Sequence, residues 1–330
     1  MRPTEISLFL RSVIPDEKAR SIFIWGPPGI GKSAIVNQAA QEVGIGFVDL
    51  RLAIMDPTDL RGIPVPKDGK AVWLPPAVLP SSGEGILFLD ELTLAPQLVQ
   101  SSAYQLVLDK RLGEYVLPKG WRIMAAGNRS EHGASVFKMA FPLRNRFIHI
   151  EFEVNVDDWR SWAIKNGIET EIIEFISFRP DILFNFDPKR TENAFASPRS
   201  WEFASDLFRM KDKMPKNILF EAIEGTVGKG SAAEFFGYLD IRKNLPSIEE
   251  ILAGKNFVPE QIDVAYAVVT ALVVHAKVGQ FGRLIEYANY LPAEVGALLA
   301  KLLLSRNKNA VLRLPEWKEF ALRHADLISD

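Results

Sequence analysis

The chain has 330 residues, 48% of them hydrophobic, which suits about two globular domains with full cores and excludes a disordered or fibrous protein. Its 39 Lys and Arg against 41 Asp and Glu give a net charge of −2, so overall charge offers no reason to expect nonspecific binding to nucleic acid or membranes. Cysteine is absent, which excludes disulfides and thiolate metal sites and fits a reducing cytosol.

The sequence does not predict membrane insertion. Glu5 and Arg11 interrupt the first apolar stretch before a signal-peptide core can form. The most apolar later stretch, 264–274, meets His275 and Lys277 well short of the roughly 18 residues that a membrane span needs. We therefore expect a cytoplasmic protein in which 264–274 is a buried helix.

Short apolar runs alternate with helix-like segments in the first half of the chain. The candidate strands are SIFIW (21–25), GFVDLRL (46–52), ILFL (86–89), RIMAA (122–126) and FIHIEF (147–152). Strands this apolar usually lie in a parallel sheet that helices cover on both faces. The pattern predicts an α/β domain over 1–155 with a parallel five-stranded sheet.

A phosphate-binding loop follows the first strand. GPPGIGKS (26–33) satisfies the pattern G-x-x-x-x-G-K-[ST] between a strand and a helix, and its backbone N–H groups can point at phosphate oxygens. We expect Lys32 to hold the β and γ phosphates and Ser33 to bind Mg²⁺. The predicted nucleotide-binding residues are Gly26, Pro27, Pro28, Gly29, Ile30, Gly31, Lys32, Ser33 and Ala34.

Two further strands end in polar side chains that can act on a nucleotide. ILFLDE (86–91) ends in Asp90, which is placed to bind the Mg²⁺ ion through water, and in Glu91, which can orient or deprotonate the attacking water. Asn128 closes the strand RIMAAGN and can hydrogen-bond the γ-phosphate or the lytic water. Because parallel strands end at one carboxyl edge, we expect these residues to meet the phosphate loop there.

Two arginines, Arg144 and Arg146, directly precede the strand FIHIEF. They therefore belong at the edge of the sheet opposite the phosphate loop. A five-residue strand spans roughly 17 Å, more than an arginine side chain can bridge. Because arginine keeps its charge and grips carboxylates or phosphates, we expect these two to serve an anion in another molecule.

After about residue 157 the strand signal stops, and helical patterns follow one another to the end of the chain. The stretch 179–198 contains prolines and few periodic apolar residues, which predicts a linker between the two halves. We expect a helical domain over 156–255 and a helical C-terminal extension over 256–330.

Together these motifs resemble an AAA+ ATPase over most of residues 20–255. GPPGIGKS resembles the Walker A motif of that family, ILFLDE its Walker B, Asn128 its sensor 1 and LRNRF its arginine-finger segment. ASPRSW, which contains Arg199, resembles the sensor 2 motif of the helical lid. The resemblance implies a P-loop AAA+ core that hydrolyses ATP to ADP and phosphate with Mg²⁺.

Three segments resemble the MoxR branch, the clade with an insert in helix 2. Its sensor 2 contains a similar Ser-Pro-Arg sequence, DLRGIPVPKDGKAVWLPPAVLP (59–80) occupies the position of the insert, and RLGEYVLPKG (111–120) resembles its pre-sensor-1 β-hairpin. Surface loops are the alternative interpretation of the last two segments. MDPTDLRGIP departs from the commonest MoxR sequence, which leaves the exact subfamily open.

The resemblance also implies an assembly. AAA+ proteins usually form hexameric rings in which an arginine of one subunit completes the ATP site of its neighbour. Arg146 best matches that finger position, and Arg144 would assist catalysis or stabilise the interface. Arg199 would reach the γ-phosphate from the lid. Adenine, and so ATP as the nucleotide, is likewise an expectation from the resemblance.

Three function hypotheses follow. The first is a MoxR-type remodelling ATPase or chaperone that acts on a protein client, often one carrying a von Willebrand factor A domain. The second is a nucleic-acid motor or restriction-type translocase, which the neutral net charge disfavours. The third is a nucleotide-switched scaffold with little hydrolysis, which Glu91 disfavours because binding alone does not need that residue.

Overall fold

The structure is a computed structural model that describes residues 1–16, 18–129, 137–189, 192–243 and 245–328. The chain divides into two compact units. The first, an α/β unit, comprises Met1–Asn155 and a short segment from Phe186; the second, a helical unit, comprises Val156–Asn185 and the chain from Glu192 onward.

A parallel sheet forms the centre of the α/β unit. The strands are β1 Ser21–Trp25, β2 Gly46–Arg51, β3 Ile63–Lys67, β4 Lys70–Leu74, β5 Gly85–Asp90, β6 Arg111–Leu112, β7 Tyr115–Val116, β8 Trp121–Gly127 and β9 Phe147–Glu151. The main sheet has the order β2-β5-β8-β1-β9, and all of its strand pairs are parallel. The predicted parallel five-stranded sheet is confirmed.

Helices cover both faces of this sheet, which explains why its strands are apolar almost throughout. Consecutive residues Ile22, Phe23 and Ile24 are all fully buried, so neither face of β1 is exposed. On one face Phe23 joins a core cluster with Leu87 and Ala103. The helices of the unit are α1 Pro3–Val13, α2 Lys32–Val43, α3 Pro57–Arg61, α4 Gln97–Asp109 and α5 Phe141–Arg144.

Two antiparallel hairpins interrupt the α/β pattern. In the predicted insert, β3 and β4 pair around a turn at Asp68 and Gly69, which both have positive φ values, 50° and 73°. This combination is typical of a two-residue hairpin turn that matches the twist of its strands. RLGEYVLPKG forms the second hairpin, β6–β7, as its resemblance implied.

The helical unit is built from α6 Val156–Lys165, α7 Thr170–Phe178, α8 Pro198–Phe208, α9 Lys216–Val227, α10 Lys229–Arg242, α11 Ile248–Leu252, α12 Ile262–His275, α13 Phe281–Ala288, α14 Ala293–Leu312, α15 Pro315–Arg323 and α16 Ala325–Ile328. Helix α12 packs against α7 and α14. Its residues 267–269 and 271–273 are all buried, because neighbouring helices surround it. The predicted buried helix is confirmed, and among the described residues no helix is long and apolar enough to cross a membrane.

The stretch predicted to be a linker does not simply join the two halves. The chain passes from the first unit to the second between Asn155 and Val156, before that stretch begins. Ile182 lies buried in the helical unit, where its carbonyl accepts a 2.9 Å hydrogen bond from the Trp201 indole. Asn185 donates a backbone hydrogen bond to Ala196, so the stretch leaves and re-enters the helical unit at neighbouring points.

Candidate nucleotide site

The phosphate loop connects the buried strand β1 to helix α2. Gly31 is the N-cap of α2 and has a φ of 96°, a left-handed conformation that favours glycine. Helix α2 then begins at Lys32, and Ile35 donates its backbone N–H to the Gly31 carbonyl. The first N–H groups of a helix have no partner within it, so they are available to an anion beside the loop.

Lys32 is held where the loop meets the next strand. Its Nζ donates to the Gly26 carbonyl at 2.8 Å, to the Pro27 carbonyl at 2.8 Å and to Asn128 Oδ1 at 3.0 Å. The last contact joins residues 96 positions apart. It exists because β1 and β8 are neighbours, with Trp25 opposite Gly127. The structure therefore brings together the two residues that the sequence analysis placed at the γ-phosphate.

Thr93 fixes Asn128 and was not predicted. The Asn128 backbone N–H donates to Thr93 Oγ1 at 3.1 Å, and the Thr93 hydroxyl donates to the Asn128 carbonyl at 3.1 Å. A Cβ on Gly127 would lie 2.7 Å from Thr93 Oγ1, so this approach requires glycine. Thr93 is a buried hydroxyl two residues after the predicted Walker B acids, a pattern that does not identify its partner in the sequence.

The two acids leave strand β5 in different directions. Asp90 is the last residue of β5, and its Oδ1 accepts the Glu91 backbone N–H at 2.8 Å. Glu91 has a φ of 54°, a conformation that costs a non-glycine residue roughly 1–2 kcal/mol. The turn is held because Leu92 donates to the Ala126 carbonyl of β8 at 3.0 Å. Backbone strain of this kind clusters at functional sites, and here it turns Glu91 away from the strand direction.

Arg144 and Arg146 lie at the opposite edge of the sheet. Strand β9 pairs with β1 from Ser21 opposite Phe147, so the segment before β9 meets the amino end of β1, whereas the phosphate loop leaves its carboxyl end. Both arginine side chains are exposed. The Arg144 guanidinium lies 5.8 Å from the Phe141 ring, and in the part of the chain that the structure describes neither arginine forms an ion pair.

A family comparison covers this whole constellation. Residues 21–147 match the family model "AAA domain (dynein-related subfamily)". The match begins at β1 and ends at β9, so it includes the phosphate loop, both acids, Asn128 and both arginines. The α/β unit contains an AAA domain. Such a domain is an ATPase domain, so the comparison supports ATP hydrolysis.

Curated relatives match this chain over only a small part of their own length. Midasin of Giardia intestinalis is 29% identical over 169 residues, which cover 48% of this chain and 4% of that protein. The replication factor C large subunit of Pyrobaculum calidifontis is 47% identical over 34 residues, covering 10% of this chain and 8% of that one. The chain thus spans only a small fraction of the length of either relative.

Solved structures with similar folds include two bacterial proteins. A RuvB mutant of Thermotoga maritima aligns with 18% identity and a TM-score of 0.41, over 76% of this chain and 73% of that one. NtrX of Brucella abortus aligns with 14% identity and a TM-score of 0.43, over 98% of this chain and 67% of that one. At these scores the neighbours support no inference about substrate or partner.

The oxygen donors of the AAA domain fit a Mg²⁺ ion. Ser33 and Asp90 offer a hydroxyl and a carboxylate, the hard ligands that this cation prefers. Asp49 on β2 adds a second carboxylate that was not predicted: burial, and then the negative charge of Asp90, raise its pKa. Its Oδ1 is buried and has no hydrogen-bond partner among the described residues. A divalent cation would offset this accumulation of negative charge.

Arg199, the predicted sensor 2 residue, belongs to the helical unit. It is the second residue of α8 and is exposed. Ser197 caps this helix by accepting the Ser200 N–H at 3.2 Å, while Ser200 Oγ accepts the Ser197 N–H at 2.8 Å. This reciprocal cap fixes where α8 begins and therefore presents Arg199 in its first turn.

Proposed function

We propose that this protein is a MoxR-type remodelling ATPase that works on a protein client as an oligomeric ring, with ATP between neighbouring subunits. The observation that carries this proposal is the division of the AAA domain into two charged edges. Lys32, Asp90 and Glu91 lie around the carboxyl ends of the strands, whereas Arg144 and Arg146 are exposed at the amino end of β1. One subunit therefore presents an incomplete site and the arginine that would complete another.

Each residue of the AAA domain has a role in the proposed reaction. Lys32 would bind the β and γ phosphates, and Ser33 and Asp90 would hold a Mg²⁺ ion, which would neutralise phosphate charge. Glu91 orients the attacking water and accepts its proton. Asn128 uses its Oδ1 to accept from Lys32, which leaves its amide N–H groups to donate to the γ-phosphate or that water.

We propose that the helical unit acts as the lid and that Arg199 senses the γ-phosphate from it. Residues 156–255 would form the lid and 256–330 an extension. Arg146 is proposed as the main finger and Arg144 as its assistant. A hexameric ring is the assembly in which every finger meets a neighbouring site.

The two hairpins are the proposed client contacts. They expose apolar side chains that the core does not use: Ile63 is 59% exposed, Leu74 55% and Val116 56%. A protein client with a complementary apolar surface, such as one with a von Willebrand factor A domain, suits these exposed side chains. A protein that copurifies with the Glu91→Gln variant at saturating ATP, and that is absent with the Lys32→Ala variant, would identify the client. If DNA copurifies and stimulates hydrolysis, the nucleic-acid alternative replaces this proposal.

Mixing two inactive variants tests the arrangement across subunits. Arg146→Ala should bind ATP but hydrolyse it slowly, since an arginine finger contributes roughly 10³–10⁵ in rate. Lys32→Ala should not bind ATP but keeps its arginines. Mixed rings should regain activity at interfaces that pair the intact loop of one variant with the intact finger of the other. If labelled subunits exchange and the mixture stays inactive, Arg146 does not act across an interface.

A further inference from the structure

His149 connects two parts of the AAA domain that the proposed mechanism uses separately. It is the middle residue of β9, and its ring is exposed. The Trp25 indole N–H donates to His149 Nδ1 at 2.9 Å, so the ring proton lies on Nε2. Nε2 is 2.8 Å from the Arg144 carbonyl oxygen and donates to it. The neutral ring is thus held at both nitrogens in one tautomer.

The two hydrogen bonds of His149 form a bridge from Trp25 to Arg144. One end of this bridge lies beside the nucleotide site and the other beside the finger. Trp25 is the last residue of β1 and directly precedes Gly26, whose carbonyl accepts from Lys32. Arg144 ends α5, two residues before Arg146. The bridge therefore runs along the edge of the sheet from the start of the phosphate loop to the segment that carries both arginines.

Aromatic packing holds the bridge in place. The Trp25 and His149 rings are stacked, with centroids 5.9 Å apart and planes 25° from parallel. The buried Phe23 ring lies beneath both, 4.3 Å from Trp25 and 5.8 Å from His149. Since Phe23 belongs to the core cluster, the Trp25 and His149 rings pack against the buried core of the unit.

The indole also contacts the residue that follows Asn128. The Arg129 guanidinium lies 4.8 Å from the Trp25 ring and forms an ion pair with Glu151 at the end of β9. Trp25 therefore directly precedes the phosphate loop and contacts both Arg129, which follows Asn128, and His149 on β9. The segment before β9 is anchored to the core through the buried Leu143, but α5 has only four residues and both arginine side chains are exposed.

We propose that His149 is a positioning residue that ties the arginine-finger segment of each subunit to the edge of its own nucleotide site through Trp25. This rests on the proposed function, in which Arg146 acts on a neighbouring subunit. Losing the tether should leave Arg146 intact but poorly placed, and a misplacement of about 1 Å can reduce a rate by about 100-fold.

Subunit mixing separates the two sides of an interface. Lys32→Ala subunits only donate a finger, and Arg146→Ala subunits only accept one. His149→Phe keeps the aromatic stack but removes both hydrogen bonds. Added to the donor, it should lower the activity of the mixture about 10- to 100-fold; added to the acceptor, it should change that activity less than about twofold. His149→Gln in the donor, whose amide can still donate to the Arg144 carbonyl, should restore most of the activity.

A Trp25 variant and the unmodified mixture serve as controls for the role of His149. Trp25→Phe in the donor removes the indole N–H together with part of the aromatic surface, but it leaves the hydrogen bond from His149 to Arg144 possible, so it should cause a smaller loss in the same direction. If the activity of the mixture is unchanged with the His149→Phe donor, His149 does not position the finger. Equal losses of activity with the change in the donor and in the acceptor, together with a lower Tm, would also overturn the positioning role. If the parent mixture without any His149 change is inactive although its subunits exchange, the proposed function fails and this inference fails with it.

Discussion

Lys32, Asn128 and Thr93 form one hydrogen-bonded unit in the AAA domain. Lys32 donates to the Asn128 side chain, and Asn128 exchanges backbone hydrogen bonds with the buried Thr93 hydroxyl. A displacement of any member moves the others because each contact is direct. Separate measurements of ATP binding and turnover should therefore distinguish two kinds of residue. A change at a residue that binds the phosphates should weaken ATP binding, whereas a change at a residue that only orients a partner should mainly lower turnover.

Lys32→Ala and Glu91→Gln should differ in which step they remove. Lys32→Ala removes the charge that compensates the phosphates and should abolish ATP binding. Glu91→Gln keeps the size and backbone of the residue but removes the proton acceptor, so binding should persist while turnover falls about 10²- to 10⁴-fold. Calorimetric titration and single-turnover assays check both. If Glu91→Gln keeps most of the wild-type rate, the assignment of Glu91 is wrong.

Thr93→Val should reduce turnover with little effect on ATP affinity. Valine keeps the buried shape but removes the hydroxyl, which leaves the Asn128 N–H without its partner at a stability cost of about 1–3 kcal/mol. With Asn128 poorly oriented, kcat should fall roughly 10- to 100-fold. Thr93→Ser is the matched control and should retain most activity. Equal kcat values for Thr93→Val and wild type would show that this hydroxyl does not position the site.

At the scale of elements, the β3–β4 hairpin is built outside the core that supports the nucleotide site. The core cluster includes Leu60 before the hairpin and Leu79 after it, and the first and last residues of the hairpin, Ile63 and Leu74, are exposed at its base. The hairpin itself is held by its antiparallel ladder and by the Arg61 guanidinium, 4.8 Å from the Trp73 ring. It is therefore removable without opening the sheet.

Replacing 64–74 by a short Gly-Ser turn should impair client remodelling and spare basal hydrolysis. ATP affinity and basal kcat should stay within about twofold, since the hydrogen bonds from Lys32 to Gly26, Pro27 and Asn128 lie outside this hairpin. Client-dependent stimulation should be lost. Hydrolysis assays with and without the copurified client make the comparison. Loss of ATP binding would instead place the segment in the nucleotide pocket.

A buried charge network links three helices of the helical unit. Glu174 on α7 is 1% exposed and accepts from Arg242 on α10 at 2.5 Å and from His275 on α12 at 2.8 Å. Burial opposes ionisation of Glu174, but the hydrogen bonds from His275 and Arg242 outweigh it, so the pKa is lowered from its ordinary 4.5. The ionised carboxylate thus holds the three helices together.

The stability of the helical unit should depend on pH through Glu174. Because the folded-state pKa lies below the unfolded value, the contribution is fully present above that unfolded value and is lost as pH falls through the folded pKa. Glu174→Gln should lower the free energy of unfolding by about 1–3 kcal/mol at pH 7 and by much less below the folded pKa. Urea titrations at neutral and acidic pH measure this. Asp240→Asn, at exposed ion pairs with Lys243 and Lys216, is the control and should leave the free energy of unfolding almost unchanged. An equal loss for Glu174→Gln at both pH values would contradict the ionic role.

In the proposed assembly, the surface of the AAA domain around the two arginines is the one that bears on contacts between subunits. Phe141 is 80% exposed and lies beside the Arg144 guanidinium, in the segment that also carries Arg146. An exposed aromatic next to arginines is typical of the centre of a protein interface. In the proposed ring this surface meets the neighbouring subunit.

Arg144→Ala should affect assembly more than catalysis, whereas Arg146→Ala should affect catalysis more than assembly. Arg144→Ala should weaken ring formation, because it removes the cation stacked near Phe141, and should have the smaller catalytic effect. Arg146→Ala should assemble normally with ATP but hydrolyse about 10³-fold or more slowly. Sedimentation with ATP and activity at ring-saturating concentration separate the two. Identical behaviour of both variants would remove the distinction between finger and interface residue.

The sequence by itself determined the elements whose information is local. All five strands of the parallel sheet were predicted, because strands covered on both faces must be apolar at consecutive positions, as in 22–24. The phosphate loop was also predictable, since its spacing encodes a turn followed by a helix start. The turn at Asp68 and Gly69 carried a local hairpin signal that the interpretation of 59–80 as an insert did not use.

Only the tertiary structure decided which polar side chains act together. Thr93 and His149 stand in a turn and a strand where nothing local distinguishes them, and the strand order β2-β5-β8-β1-β9 brings their partners Asn128 and Trp25 near. The pairing of β2 with β5 likewise places Asp49 near the charge of Asp90. The pairing of β9 with β1 also placed Arg144 and Arg146 at the amino end of β1, away from the phosphate loop. The physical reason is that a hydrogen bond depends on positions within a few tenths of an ångström, which strand order and register set and local periodicity does not.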